Sequence, residues 1–352
     1  MKEGRLSLPS FFNLFDVMKY IYVCLISFLL FSCGKKNQDL SELVSSELQF
    51  EEMNIEPLLG NPYQMEIIDS TLIIADYVDD NALLLYNLDS LSYQRRLFVG
   101  EGPNDILPPL SIDVNIQEKA INVLQRQNGE CRKYVLSDLY KTNIASFQKV
   151  NLKSADRMVE TNVGYIYMGF NEKGVLLHGR GNISDTVVEQ FAEFEINDVS
   201  SKYKLFQGRI SYSKKNDCLL FAPSYVSDIL MYTQHDGCWN KKVIFSIGDG
   251  KIERRIKEDK DLGLYKDDIN HCIDVCKSED FFYVLYDGSD MGHSEKIECR
   301  YIICFDMVGN LNGVYKVNST IRDICVSDDG VMYALMYSEK DGEPTIGKAT
   351  LK

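Results

Sequence analysis

The chain is short of the residues on which most hydrolases and metal proteins depend. Its 352 residues include four histidines, His178, His235, His271 and His293, and their spacing matches no metal site. No His-Glu-x-x-His or Gly-x-Ser-x-Gly segment occurs, which excludes the zinc-peptidase helix and the serine-hydrolase elbow. Trp239 is the only tryptophan, so an aromatic platform for sugar would have to come from the 21 tyrosines. Positive charge is also scarce. With 38 Lys and Arg against 52 Asp and Glu, the net charge is −14, a poor match to phosphate backbones, which need a basic face. Long helical periodicity is nearly missing, and Glu253 to Lys266 is the one charged stretch that reads as a short helix. The apolar run Ile21 to Phe31 is too short to cross a bilayer, which takes about 20 residues.

That short run is nevertheless informative. Lys19 precedes it and Leu30-Phe31-Ser32-Cys33 ends it, the pattern of a signal peptide closing on a lipobox. Cys33 is the expected lipidation site, and palmitate-type acylation there would give more than one chain and durable anchoring. Residues 1–32 are read as the signal peptide, with Met18 a more natural start because Glu3, Pro9 and Asp16 make an odd leader. Residues 33–46 are read as a polar lipidated tether and 47–352 as the folded domain. The expected address is the cell envelope, on the periplasmic face of the outer membrane, since Gly34-Lys35-Lys36-Asn37-Gln38 lacks an acidic export cluster.

Eight cysteines follow Cys33: Cys131, Cys218, Cys238, Cys272, Cys276, Cys299, Cys304 and Cys325. An even count in an exported chain invites a disulfide reading. The spacing argues against it. Cys272 and Cys276 fall on one strand, about 13 Å apart, beyond disulfide reach. They read instead as buried thiols, and no zinc knuckle is present.

The rest is all-β in pattern and repeats itself. Asp274-Val-Cys-Lys-Ser-Glu-Asp-Phe-Phe-Tyr-Val-Leu aligns without gaps on Asp323-Ile-Cys-Val-Ser-Asp-Asp-Gly-Val-Met-Tyr-Ala and on Asp113-Val-Asn-Ile-Gln-Glu-Lys-Ala-Ile-Asn-Val-Leu. Weaker copies start near Gln64, Tyr167 and Ser211. Each is a strand, a polar turn and a second strand, and third and fourth strands often follow, such as Ala82 to Asn87 and Tyr93 to Val99. Six such units predict a six-bladed β-propeller. The last copy lacks a fourth strand, and Glu47 to Pro57 is expected to supply it, closing the ring and removing an open sheet edge.

The segment Ile67 to Asp76, then Leu83 to Leu88, then Gly100-Glu101-Gly102-Pro103-Asn104-Asp105 resembles the opening of the TolB-like six-bladed propeller lipoproteins of Bacteroidetes. That resemblance implies a Gly-x-Gly-Pro-x-Glu loop after the first blade, here with Asp105 in place of Glu, and it implies no established activity. As residues, Gly100, Gly102, Pro103 and Asp105 read as a tight turn, since a phosphate loop would need a lysine and a following helix. Gly248-Asp249-Gly250-Lys251 lacks the upstream glycines of such a loop.

The longest loops, Gly100 to Leu110, Asn151 to Gly164 and Gly248 to Asn270, are expected on one face. In the repeat register Gln64, Asp113, Tyr167, Ser211, Asp274 and Asp323 are equivalent and should form a polar ring round the channel. Its three carboxylates could take calcium through oxygen ligands, or accept backbone N–H groups of adjacent blades, which is the favoured reading. No other cofactor is implied. Asp267-Asp268-Ile269-Asn270-His271 is the best acid–base candidate and reads equally as a solvated turn. Together these features predict a non-catalytic binding or scaffold module for an envelope protein, peptide or glycan. The alternative is an envelope hydrolase or lyase using carboxylates at the channel mouth.

Overall fold

Alternating apolar residues on both faces of nearly every second and third strand already require each sheet to be covered on two sides. The computed structural model describes residues 39–351 apart from 172–173, 182–186, 192–204, 236–237, 249, 259–262, 294–299 and 339. Cys33 and the leader lie outside the described residues, as do Asp249 and Cys299.

The described chain begins with a 3-10 turn at Leu40–Leu43 and two short strands, β1 (Ser46–Leu48) and β2 (Glu51–Glu52). Blade 1 is β3 (Pro62–Ile68), β4 (Thr71–Val78), β5 (Asn81–Asn87) and β6 (Ser92–Phe98). Blade 2 is β7 (Leu110–Asn115), β8 (Ala120–Gln125), β9 (Glu130–Val135) and β10 (Phe147–Asn151), with a helical turn at Leu136–Lys141 between its last two strands. Blade 3 is β11 (Ala155–Glu160), β12 (Gly164–Asn171), β13 (Gly174–Gly181) and β14 (Val187–Phe191). Blade 4 is β15 (Gly208–Ser213), β16 (Cys218–Pro223), β17 (Asp228–His235) and β18 (Cys238–Ser246). Blade 5 is β19 (Cys272–Lys277), β20 (Phe281–Tyr286), β21 (Tyr301–Asp306) and β22 (Leu311–Val317), and blade 6 is β23 (Ile321–Val326), β24 (Val331–Tyr337) and β25 (Pro344–Thr350). Within each blade these strands form an antiparallel meander with sequential neighbours, the signature of a propeller. The inner strands β3, β7, β11, β15, β19 and β23 adjoin in that order, and β23 lies against β3.

Six buried apolar clusters occupy the six blade junctions. Strand β4 shows how the pleat feeds two of them. Leu72 and Ile74 pack towards blade 6 with Cys325 and Leu335, while Ile73 and Ala75 pack towards blade 2 with Ile112 and Val123. Successive side chains point to opposite faces, so a strand buried on both reads as a continuous apolar run.

Two sequence expectations are corrected here. Residues 39–46, read as part of the tether, are not free of the domain. Leu40 is buried in the junction of blades 4 and 5, and β1 adds a parallel fifth strand to β22. Leu48 is buried in the next junction, and β2 pairs antiparallel with β25, giving blade 6 its outermost strand. The N-terminal segment is thus a strap across the rims of blades 5 and 6. Its polar composition hid it, because only every few residues does an apolar side chain face inward. Second, Asn151 to Gly164 is not a loop. It contains β11, the inner strand of blade 3, whose Ala-Asp-Arg-Met-Val-Glu sequence is charged because it lines the channel.

Seven described cysteines are thiols, six of them buried, with Cys238 exposed. No helix among the described residues is long and apolar enough to cross a membrane.

Candidate functional site: the channel ring

The inner strands are tied to one another by side chains that reach across to the next blade's backbone. Met65 N–H donates to Asp323 Oδ1 (2.6 Å) and Ile324 N–H to Asp274 Oδ2 (2.9 Å). Ile112 N–H donates to Gln64 Oε1 (2.9 Å), and Gln64 Nε2 donates back to the Ile112 carbonyl (2.7 Å). One layer further along, Glu160 N–H donates to Asp113 Oδ2 (2.9 Å). In each case the acceptor lies one position before the residue equivalent to the donor, which fixes the register round the ring.

That register replaces the one read from the repeats. The equivalent set is Gln64, Ser111, Arg157, Arg209, Asp274 and Asp323. Gln64, Asp274 and Asp323 keep their places, Asp113 and Ser211 sit two residues further along their strands, and Tyr167 is not on an inner strand at all. It lies buried on β12, the second strand of blade 3. Strands β3, β11, β19 and β23 each carry a bulge before the ring position, whereas β7 and β15 have none, so the six inner strands are not interchangeable copies and a gapless alignment of the repeats does not give their register.

The ring is therefore mixed in charge. Arg209 Nε lies 3.6 Å from Asp274 Oδ1. The three aspartates bring no shared cation cage together, and the described residues hold no group of three acidic, histidine or cysteine side chains arranged for a metal. Gln64, Ser111, Arg157, Arg209 and Asp274 line a cavity of about 50 Å³, room for a few waters and too little for a sugar. Burial, and then the charge of Asp274, pushes the Asp323 carboxyl well above its usual range. Burial likewise raises Asp274, against the pull of Arg209. Arg157 is driven below its usual range by burial and by the nearby Arg209 cation.

Beside this layer, Glu66 faces the same cavity. Burial pushes its carboxyl up to about 8, with Lys277 opposing and Asp113 and Asp274 adding to the shift. In the folded protein it stays neutral up to about that pH, while in the unfolded chain it ionises above 4.5. The stability linked to Glu66 is thus complete below pH 4.5 and is lost as pH rises towards 8. Glu66→Gln should match wild type near pH 4 in urea unfolding and exceed it by about 2 kcal/mol at pH 8.5, a figure reduced because channel water reaches the group. A pH-independent gap between the two proteins would refute this.

A second polar cluster lies between blades 2 and 3. Glu160 accepts from Asn115 (2.8 Å), Asn122 (2.8 Å), Lys133 (2.9 Å) and Lys214 (3.0 Å). Burial would raise this carboxyl, but those donors hold it below its usual range. Its charge is fully answered, and it fixes the blades rather than reacting.

The remaining sequence candidates lie in loops between strands. Gly102 N–H donates to Asp105 Oδ2 (2.9 Å), and a Cβ at Gly100 or Gly102 would meet that oxygen at 2.5 or 2.6 Å. The motif is a turn closed over the Asp105 carboxylate, with Pro103 exposed on it. Asp268 is buried, accepting from Arg255 Nη2 (2.7 Å) and Tyr265 N–H (2.7 Å). His271 is buried with its ring 5.8 Å from that of Tyr286, while Asp267 points to solvent near Lys251. Arg157, Arg209 and Glu66 were missed in the sequence. Their one signal is a charged residue in the middle of a strand buried on both faces.

A family model described as a TolB-like six-blade propeller matches residues 42–329. No curated protein matches the chain by sequence. Among solved structures, a protein described as exported from Bacteroides fragilis superposes with a TM-score of 0.55 at 12% identity, over 91% of this chain and 98% of that one. A gluconolactonase from Xanthomonas campestris gives 0.53 at 10% identity, over 91% and 96%. A luciferin-regenerating enzyme gives 0.51 at 12%, over 86% and 95%. At these identities the likeness concerns the fold.

Proposed function

The chain belongs to the TolB-like six-bladed propeller family, and from that premise we propose that it is a non-catalytic binding propeller of the cell envelope. It is lipid-anchored through Cys33 at the periplasmic face of the outer membrane and presents its looped face to an envelope protein, peptide or glycan. The exported description of its Bacteroides fragilis structural neighbour agrees with that address. The observation that carries the reading is the state of the channel carboxylates. Asp113, Asp274 and Asp323 each accept a backbone N–H of the next blade, so they hold the ring together. The enzymes among the structural neighbours share only the architecture, and architecture does not transfer activity.

The competing reading is a hydrolase or lyase working through those three carboxylates. A variant with Asp113, Asp274 and Asp323 all changed to asparagine keeps an acceptor oxygen at each position. It should fold by circular dichroism and recover the same crosslinked partner from membranes as wild type. Turnover of envelope glycan or peptide fragments by wild type, abolished in the triple variant, would establish the enzyme instead.

A further inference from the structure

In a chain with 14 more negative than positive groups, an arginine whose guanidinium makes no ion pair among the described residues stands out. Arg322 is the bulged residue of β23, between Ile321, which pairs with Met336, and Asp323, which pairs with Leu335, and the bulge turns its side chain out of the regular pleat. Its guanidinium carbon lies 4.7 Å from the centroid of the Tyr337 ring, and its Nε is buried with no hydrogen-bond partner. Among the described residues it makes no ion pair and no hydrogen bond. That nitrogen is closed off from solvent, so a ligand beside the side chain would meet its terminal guanidinium nitrogens, which have no partner among the described residues.

The space beside it is real. Arg322, Tyr337, Asn61, Pro62, Leu335 and Met336 line a cavity of about 220 Å³ at the junction of blades 6 and 1, below the 300–1,000 Å³ of pockets that enclose drug-sized ligands. It has room for one residue-sized group. The two terminal nitrogens of a guanidinium stacked on Tyr337 can give two parallel hydrogen bonds, the geometry that suits a carboxylate. Pro62, Leu335 and Met336 give it an apolar side against which a hydrocarbon side chain can pack. The cavity wall is also built in advance. Asp76, fully buried, accepts from Gly60 N–H (3.0 Å) and Asn61 N–H (2.8 Å), which fixes that loop. A side chain at Gly60 would run into Val78.

We propose that this cavity binds an α-carboxylate carried next to an apolar side chain, as in a free apolar amino acid or the C-terminal residue of a peptide, with Arg322 as the anion anchor. The proposal rests on the reading of the propeller as a binding module and gives that module a ligand class. The test uses the full chain, ligand-observed NMR and calorimetry, with N-acetyl-L-leucine, its amide, and Ala-Ala-Leu as probes and D-glucuronate as the sugar-acid comparison. The acid should bind, the amide and glucuronate should bind at least roughly tenfold more weakly, and Arg322→Gln should lose roughly tenfold in affinity for the acid. Tighter binding of Ala-Ala-Leu than of N-acetyl-L-leucine identifies a peptide end as the source, and equal binding a free amino acid. Arg157→Gln, in the channel, should leave binding unchanged. Equal binding of acid and amide, no effect of Arg322→Gln at an unchanged melting temperature, or no binding of any probe would overturn the assignment. If in that last case wild type still captures its membrane partner, only the ligand class falls and the binding-module reading stands.

Discussion

Replacing Leu40 and Leu48 together by alanine will cost the propeller about 4 kcal/mol, or detach the N-terminal strap altogether. Both side chains are buried, at 4% and 7% exposure, in different blade junctions. Large-to-small changes at such sites cost about 2–5 kcal/mol each, and those near a rim, where neighbours can relax, fall at the low end. They share no neighbour, so the two losses should add. Beneath the strap lie the edges of β22 and β25, whose outward N–H and C=O groups would then be free to pair with another chain. The double variant should show a lower urea midpoint, faster amide exchange at Ser46–Leu48 and Glu51–Glu52, and concentration-dependent aggregation. Unchanged exchange at those residues would mean that the strap is held by something other than its leucines.

Asp76→Ala should cost about 3–5 kcal/mol, the range for breaking a buried ion pair from one side. Arg95 Nη1 donates to Asp76 Oδ2 (3.1 Å), the pair is 12% and 0% exposed, and the carboxylate also holds the Gly60 and Asn61 amides. Removing it strands a cation and two N–H groups in one place. Asp76→Asn keeps an acceptor and should lose only about 1–2 kcal/mol. Equilibrium unfolding in urea measures both. Because Gly60 and Asn61 wall the Arg322 cavity, the alanine variant should also weaken N-acetyl-L-leucine binding. A stable Asp76→Ala protein would show that the 53–61 connection is held mainly by Leu59 and its apolar neighbours.

How far the sequence carried can be judged from particular strands. Blades 5 and 6 were legible because Asp274 and Asp323 sit before apolar strands of matching length, each followed by a short polar turn. Blade 3 was misread because its inner strand carries Asp156, Arg157 and Glu160, and a charged strand does not look like one until the channel it lines is known. Its second strand, with Tyr165, Ile166, Tyr167 and Met168 buried, took its place in the alignment. The ring register failed at Asp113 for a different reason. Bulges shift side chains by one residue and turns differ in length, so equivalence round a ring is set by which N–H meets which carboxylate across blades, a relation with no local trace. Arg322 was invisible for the same reason. Nothing in Ile321-Arg322-Asp323 says that the arginine, unlike the aspartate beside it, ends without a partner.

The bond from Met65 to Asp323 joins residues 258 apart, and the strap reaches further still, Ser46 pairing with Tyr315 and Glu51 with Lys348. The first blade and β2 therefore cannot complete their contacts until blade 6 has been made, and β1 must wait for blade 5. Contacts of such sequence separation slow folding, because loop closure must come before they can contribute. While the chain is being synthesised, blades can form one after another, but the circle stays open and the junction holding Arg322 is the last to assemble. An arrested or truncated product would lack that cavity, so ligand binding there should report on completed chains alone.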